Sequence, residues 1–482
     1  MVRFQWSIVL ASFVTLLTAN GSWAADEKAA DQGATLPRYK LRVGQELNYA
    51  HTGKFAFDSG VMHYKNSWQL LVVRVNADGG WRLLVRNGKA HSRTTKSDKD
   101  VQNSEKAPRK EKATGDDRVR FSRERFSLAW CDLSPDGRVN DNPTLGYSVE
   151  LRTVLPQLPA QAGQRAWQSN NEITGRCHEY SLASDKSTPE HIEILDVNKS
   201  PEDDIYLTTA QATFTFDEGR GLIDRIENSS THVYGFDRKD NGATKLTSVE
   251  NLDADLCVAI ATEMDDYFTA KKDYDDLAER AGREPPRVDE LLAAAKSKLD
   301  DLRKSVKTKI IQDQLDEAIA NHEQSAKYAK DQAERLASVL DKPSPAWETT
   351  DLNGSTRSIE ASRGKVVVLD FWYRGCGWCI RAMPQVKEVA AHYQGRPVEV
   401  FGMNTDRDED DARFVIEKLA FTYPNLKAEG LLEKYGVRGF PTLLIIDQAG
   451  VVRDVHVGYS PTLAKSVIAS VDKLLASPPV EK

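Results

Sequence analysis

The feature that most constrains the fold is a short apolar run that leads directly into two closely spaced cysteines. Residues 366–372 are too few and too rich in β-branched side chains for a helix, which predicts a buried β-strand. Three loop residues later come Cys376 and Cys379, separated by Gly377-Trp378, and a helical pattern continues from Ile380 to His392. The sequence therefore predicts a strand, a C-x-x-C motif and a helix that begins at the motif.

Two thiols at the N-terminus of a helix have a specific chemistry. Unsatisfied backbone N–H groups and the helix dipole favour negative charge there, so the pKa of the Cys376 thiol should fall. Cys379 lies one helical turn further on, within reach to close a disulfide. Half of a zinc site is the alternative, but His392 and His456 are isolated and the chain has no second C-x-x-C motif. We therefore expect a redox disulfide and no metal.

Several separated segments around this unit follow the pattern of a known family. They are Pro345-Ala346-Trp347 with Leu352-Asn353-Gly354, Gly364-Lys365, Gly436 to Thr442, and Leu443 to Asp447 with Gly450. With the strand and the cysteine pair, they make residues from about Lys342 to Leu474 resemble a thioredoxin-fold domain of the TlpA/ResA type. That family consists of exported thiol–disulfide oxidoreductases. The resemblance implies an α/β thioredoxin-like fold for residues 342–478.

The resemblance also implies roles for three residues of the predicted unit. Cys376 would be the exposed nucleophile that forms a mixed disulfide with a client protein, and Cys379 the more buried thiol that resolves it. Asp370 matches the buried acid of thioredoxin and would exchange a proton with Cys379 through water. The redox-active disulfide would serve without any further cofactor.

A client-binding surface is implied beside the cysteine pair. Pro441, expected in cis, would bring backbone next to the pair so that an extended client can bind in β-fashion, with Gly439 and Phe440 in the same loop. Trp378 stands where the family usually has proline. This tryptophan would either cover the dithiol as a lid or contact the surface of the client.

Three features of charge near the motif depart from, or add to, the family pattern. The lysine that pairs with the buried acid in thioredoxin falls at Gly402 here, so desolvation should raise the pKa of Asp370. Residues 406–411 are almost entirely acidic and are expected to form a solvated helix start. Arg374 adds positive charge near the motif or points into water.

The first residues have the pattern of a targeting segment. A basic residue, Arg3, precedes an apolar stretch from Phe4 to Leu17, and small residues then surround Trp23. This pattern is typical of a secretory signal peptide, predicted here as residues 1–25 with cleavage near Ala24. An uncleaved anchor is the alternative. We therefore expect export to the periplasm or cell envelope.

Residues 36–250 carry a strand-like pattern. Val61 to Val75 is rich in β-branched and aromatic side chains, and turn residues 76–80 separate it from a second such run. The block predicts an antiparallel meander, closed into a barrel or curved beneath a helix. The charged segment from Arg93 to Arg118 predicts a loop.

The cysteines of the β-rich block show no catalytic arrangement. His178 follows Cys177, but adjacent residues on a strand point to opposite faces, which favours a structural placement. Cys131 and Cys177 could form a disulfide or remain free thiols, because pairing cannot be derived from sequence alone. The pairing of Cys257 is equally open.

Residues 251–341 change to a helical composition. Leucine and isoleucine recur at helical spacing, and Pro285-Pro286 divides the segment into two arms. A helical hairpin or antiparallel coiled coil is predicted. It would be either a solvated spacer or an arm for self-association or partner docking, and Pro343 and Pro345 would mark a linker to the last domain.

Composition narrows the choice of function. A net charge of −7 argues against nucleic-acid binding. The main prediction is a thiol–disulfide oxidoreductase that reduces or exchanges disulfides in client proteins, with electrons from a transmembrane thiol donor. A thioredoxin-fold peroxidase is an alternative, although the threonine of the peroxidatic motif is absent between Phe371 and Cys379. The other alternative is an envelope binding or scaffold protein with an accessory redox domain.

Overall fold

The computed structural model describes residues 36–57, 60–88, 91–96, 119–121, 127–141, 154–170, 177–183, 190–199, 209–233 and 237–476. The predicted signal peptide, residues 1–25, lies outside the described residues. Most of the predicted loop from Arg93 to Arg118 does too. Its first four residues correct that prediction, because they pair with residues 60–63 and belong to a strand.

The N-terminal part of the chain forms one thirteen-stranded antiparallel sheet. Its strands are β1 (Gln45–Phe57), β2 (Gly60–Val75), β3 (Trp81–Asn87), β4 (His91–Lys96), β5 (Val119–Phe121), β6 (Ser127–Leu133), β7 (Val139–Asp141), β8 (Ala166–Asn170), β9 (Cys177–Leu182), β10 (His191–Lys199), β11 (Thr209–Asp217), β12 (Leu222–Val233) and β13 (Asp237–Asn251). Their order is β7-β6-β3-β2-β1-β13-β12-β11-β10-β9-β8, with β4 beside β2 and β5 beside β4. The predicted strands on either side of residues 76–80 are confirmed as the neighbours β2 and β3.

Alternating side chains give this sheet two apolar faces. Leu70 and Val72 point into a core that also contains Phe214 and Phe216 of the distant strand β11. The intervening Leu71 and Val73 belong to a second core shared with the helices that follow. At β2 the sheet is therefore buried on both faces, and helices cover one of them. This agrees with the predicted sheet beneath a helix.

Three cysteines lie outside the C-x-x-C motif, two in this sheet and one in the helix that follows it. Cys131, Cys177 and Cys257 form no disulfide, which settles the alternative left open by the sequence. His178 is buried in the sheet, where its Nδ1 lies 2.8 Å from Oδ2 of Asp196 and its ring stacks on Tyr180. The structural placement predicted for His178 is therefore confirmed.

Four helices follow the sheet, rather than two arms. They are α1 (Ala254–Arg283), α2 (Val288–Ser305), α3 (Lys309–Ala320) and α4 (His322–Val339), with a 3-10 turn at Pro285–Arg287. The break predicted at the proline pair is present, and further breaks lie at residues 306–308 and at Asn321. None of the helices in the described part of the chain has the length and apolar composition needed to cross a membrane.

Contacts with the sheet and within the bundle explain why these helices pack. Glu263 of α1 accepts hydrogen bonds from the backbone N–H groups of Lys307 (2.8 Å) and Thr308 (2.9 Å), so α1 caps the start of α3. Asp265 of α1 pairs with Arg74 of β2 at 2.7 Å. The segment predicted as a solvated spacer or as an arm for self-association or partner docking is thus packed against the β-rich domain.

The last part of the chain forms the predicted α/β domain. A hairpin of β14 (Glu348–Thr350) and β15 (Thr356–Ser358) precedes a five-stranded sheet, with a 3-10 turn at Glu360–Ser362 between them. The sheet has the order β18-β17-β16-β19-β20, in which β16 to β18 are parallel and β19 and β20 antiparallel. Its elements are β16 (Val366–Trp372), α5 (Gly377–His392), β17 (Val398–Asn404), α6 (Glu409–Lys418), β18 (Asn425–Lys427), α7 (Leu431–Lys434), β19 (Thr442–Ile446), β20 (Val452–Val457) and α8 (Leu463–Ala476).

The central strand β16 explains the long apolar run of the sequence. All seven of its residues are buried, because helices or loops cover both faces of the sheet. Val366 and Val368 pack against α5 and α8, whereas Val367 and Leu369 pack on the opposite side around Trp347. The loop that carries the first cysteine follows the C-terminal end of this central strand.

Candidate active site

The two cysteines lie where β16 passes into α5, as the sequence predicts. Cys376 is the N-cap residue of α5, and it forms a disulfide with Cys379 in the first turn. Cys376 is 6% exposed and Cys379 is 2% exposed. Cys376 is therefore the more accessible of the two, but it is largely covered rather than exposed.

The helix terminus provides a donor for the first sulfur. The backbone N–H of Cys379 donates a hydrogen bond of 3.0 Å to Sγ of Cys376. Unpaired N–H groups at a helix N-terminus stabilise a negative charge placed there. When the disulfide is opened, the same geometry favours a thiolate on Cys376 over one on Cys379.

Asp370 lies in the buried strand that leads to the cysteine pair. It alternates with Val366 and Val368 on the face of β16 that packs against α5. Asp370 is 2% exposed, its Oδ1 has no hydrogen-bond partner among the described residues, and burial raises its pKa to about 7. The carboxyl can therefore be protonated or ionised near neutral pH.

Packing explains why none of the described residues places a cation beside this acid. Gly402 lies beside Asp370 on β17. A Cβ atom on Gly402 would lie 1.9 Å from Oδ1 of Asn425, which accepts a 2.9 Å hydrogen bond from Nε1 of Trp372. The Trp372–Asn425 pair thus fills the space that a side chain at residue 402 would need.

A buried hydroxyl lies near the acid. Tyr423 is 7% exposed and its Oη has no partner among the described residues. Burial raises the pKa of Tyr423, and the charge of Asp370 raises it further. Sequence reasoning missed this residue, because no local motif connects it with β16.

The acidic residues 406–411 bind the loop before Cys376, and the sequence did not reveal this contact. The carboxylate of Asp406 accepts hydrogen bonds from the backbone N–H of Arg374 at 2.9 and 3.1 Å. The guanidinium of Arg374 pairs with Asp411 at 2.5 Å and lies over the ring of Phe414. Arg374 therefore does not point freely into water, and the predicted helix start at Asp408 also anchors the loop before Cys376.

The predicted loop with the cis-proline lies against the same cluster. The Phe440–Pro441 peptide bond is cis. The ring of Phe440 packs edge-on against Tyr373 with 5.0 Å between centroids, and Phe440 contacts the apolar cluster that contains both cysteines. Gly439 is partly exposed, and its carbonyl accepts a 2.8 Å hydrogen bond from Thr442.

Trp378 lies on the outer side of the motif. It is 43% exposed and stacks on Tyr459 with 5.6 Å between ring centroids, while Cζ of Arg381 lies 5.6 Å from the centre of its ring. An exposed aromatic ring held in this way provides a flat surface beside the disulfide.

The described residues contain one group with metal-ligand geometry, and it lies far along the chain from the cysteines. His191, Asp217 and Asp224 in the β-rich domain have ligand atoms close to one another. Arg220 pairs with both Asp217 and Asp224, so its guanidinium already offsets part of their negative charge. The site around the cysteines has the chemistry of a dithiol with a buried acid.

Comparison with known proteins agrees with this chemistry. Residues 340–474 match the family described as Redoxin. The chain is 30% identical over 133 residues to the thiol-disulfide oxidoreductase ResA of Geobacillus thermodenitrificans, covering 27% of this chain and 76% of the relative. It is 30% identical over 117 residues to the thioredoxin-like protein YneN of Bacillus subtilis, covering 24% of this chain and 69% of the relative.

Solved structures give a match over the same share of the chain. The crystal structure of a putative thiol:disulfide interchange protein DsbE from Chlorobium tepidum is 28% identical, covers 28% of this chain and 99% of its own, and has a TM-score of 0.27.

Proposed function

We propose, from the premise that the chain belongs through residues 340–474 to the ResA-like thioredoxin-fold thiol-disulfide oxidoreductases, that it reduces or exchanges disulfides in envelope client proteins. The observation that carries the proposal is the Cys376–Cys379 disulfide at the N-terminus of α5. The pair would alternate between the dithiol and the disulfide, with no other cofactor.

The proposed reaction has two exchange steps. The Cys376 thiolate attacks one sulfur of the client disulfide, forms a mixed disulfide and releases the other client sulfur as a thiolate, which takes up a proton. The Cys379 thiolate then attacks Sγ of Cys376, closes the Cys376–Cys379 disulfide and releases the second client thiol. Two electrons thus pass to the client, and a thiol donor returns them by the reverse exchange.

Asp370 would move the proton in the second step. Cys379 must lose its proton before it attacks, and a carboxyl with a pKa of about 7 can accept that proton, through water, near neutral pH. The pKa is raised because the acid is buried, with Gly402 beside it on β17.

Client binding would involve the residues around the cysteine pair. The loop of Gly439, Phe440 and Pro441 would pair with an extended client strand, because proline lacks the N–H that would otherwise close the loop onto the protein. Because the ring of Trp378 is exposed, it would contact the surface of the client rather than cover the dithiol as a lid.

Electron flow would run towards the client. Gly377 and Trp378 between the cysteines carry no group that would stabilise the thiolate strongly enough for a strong oxidant. The electrons would then come from a transmembrane thiol carrier, and the N-terminal pattern supports export to the periplasm or envelope.

Trapping tests the proposed function directly. Cys379→Ala should hold a client on Cys376 as a mixed disulfide that survives non-reducing electrophoresis and disappears after reduction. The matched control is Cys257→Ala in the wild-type background, since Cys257 is buried in the helical core and forms no disulfide. Absence of any adduct from the trapping variant, when a purified disulfide-bonded peptide is supplied as a substrate, would refute the proposal.

A further inference from the structure

A groove lies between helix α4 and the loop that carries the cis-proline. It has a volume of about 220 Å³. Its first wall is one face of α4, where residues 328, 332, 335 and 339 follow helical spacing. Its second wall consists of residues 435–439 with Thr442 and two residues of β20. We call it the α4–loop groove.

The two walls of the α4–loop groove are fixed relative to each other. After α4, the backbone N–H of Asp341 donates to the carbonyl of Val452 at 2.8 Å, and the N–H of Val452 donates to the carbonyl of Lys342 at 3.0 Å. Arg453 also pairs with Asp341 at 2.7 Å and with Asp447 at 2.8 Å. The predicted linker is therefore tied to β20, and the groove needs no rearrangement to form.

The charge of the groove contrasts with that of the chain. Arg335 on one wall and Arg438 on the other have no ion-pair partner among the described residues, whereas the chain as a whole carries a net charge of −7. Between them lie apolar side chains, including Leu336, Val339 and Val437. The lining is thus complementary to a ligand that carries both an acidic and an apolar group.

The groove continues directly to the redox site. Gly439 and Thr442 line it, and they flank Phe440-Pro441. Phe440 contacts both the cluster of the two cysteines and the cluster that contains Tyr435 and Val437 at the groove. An extended chain advances about 3.3 Å per residue, so a strand paired with this loop reaches the groove within a few residues.

We infer that the α4–loop groove binds the segment of a client protein next to its disulfide, as an extended strand with one acidic and one apolar side chain. This inference rests on the proposed function and adds a substrate class to it. It also gives α4, which precedes residues 340–474 of the family match, a part in client selection.

Three disulfide-bonded peptides test the inference. They differ only in one residue, Asp, Asn or Lys, placed three positions from the cysteine. The second-order rate constant for reduction by the reduced full-length protein is measured for each peptide, and each value is divided by the rate constant that the same variant shows with 2-hydroxyethyl disulfide. We expect the wild type to prefer the Asp peptide over the Lys peptide by roughly fivefold at low salt, with the preference falling at high salt.

Charge reversal identifies the residues responsible. The double variant Arg335→Glu/Arg438→Glu should prefer the Lys peptide, while Lys327→Glu, an exposed position of α4 outside the groove, should keep the wild-type order. Equal relative rates for the three peptides, or an equal change in both variants, would overturn the inference and leave the proposed function intact. Failure of the wild type to reduce even 2-hydroxyethyl disulfide would overturn both.

Discussion

At the scale of single residues, the site depends on a buried acid that has no cationic partner in the part of the chain that the structure describes. Asp370 is surrounded by apolar strand neighbours, and the Trp372–Asn425 hydrogen bond occupies the space beside Gly402. The ionised form of Asp370 is therefore costly, and its free-energy cost should appear both in stability and in reactivity.

The substitution Asp370→Asn should stabilise the protein increasingly as the pH rises. The pKa of Asp370 is raised from 3.8 to about 7, so the unfolded chain loses this proton at lower pH than the folded protein does. The wild type therefore loses stability as the pH rises from about 4 to about 7, by up to about 4 kcal/mol in total. The free energy of unfolding, measured in urea for the oxidised proteins at pH 4.5 and pH 8, should show the variant gaining on the wild type over this range.

The control for that comparison is Asp331→Asn, an exposed position on α4. Its difference from the wild type should be the same at both pH values. A parallel pH dependence for Asp370→Asn and the wild type would contradict a raised pKa at Asp370.

The substitution Gly402→Ala should destabilise the protein by about 1–3 kcal/mol, because its Cβ would overlap Oδ1 of Asn425. Asn425→Ala should also be destabilising, since it leaves Nε1 of Trp372 without its acceptor. The double variant should lose less than the sum of the two single losses in urea unfolding, because the overlap is then relieved. Strict additivity would show that Asn425 is not the obstacle at this position.

At the scale of elements, the loop before the motif is held by the segment that starts α6. Asp406 binds the backbone of Arg374, and Asp411 binds its side chain. The sequence showed only an acidic helix start, because its partner lies more than thirty residues earlier in the chain. Contacts of this kind depend on the tertiary fold and leave no local pattern.

The substitution Asp406→Ala should loosen the active-site loop. It removes the acceptor of the Arg374 backbone N–H, at a cost of about 1–3 kcal/mol for a partly buried donor. Hydrogen exchange of the peptide that contains residues 373–376 should become faster by about tenfold or more, whereas Asp410→Ala, an exposed first-turn position, should leave that exchange unchanged. Unchanged exchange in Asp406→Ala would show that the loop is held by other contacts.

The elements that the sequence predicted best are those with strong local signals. The run at residues 366–372, the helix after the motif and the strands around residues 76–80 all carry clear periodicity or turn residues, and all are present. The sequence predicts two helical arms because only Pro285-Pro286 is a visible helix breaker. At the break at residues 306–308, the backbone N–H groups of Lys307 and Thr308 donate to Glu263 of α1, a contact between distant segments that leaves no local sequence pattern.

At the scale of the whole molecule, three parts are joined through packed or hydrogen-bonded contacts. The helices share a core with the β-rich sheet, and the chain after α4 is tied to β20 of the thioredoxin-like domain. Sequence patterns could not show how these parts meet, because the contacts join residues from distant segments. Cys376 and Cys379 nevertheless differ from the other three cysteines, because they form a disulfide and the others do not.

A redox titration of the full-length protein tests most directly whether Cys376 and Cys379 cycle as a reducing pair. The protein is equilibrated in dithiothreitol and glutathione buffers of known potential, and its alkylated thiols are counted by mass spectrometry after denaturation. We predict three labelled cysteines at the oxidising end and five at the reducing end. The two-electron midpoint should be below about −200 mV, nearer to thioredoxin than to the strong oxidant DsbA. A midpoint near about −120 mV would contradict the reducing role, and a count that never changes would contradict the dithiol cycle itself.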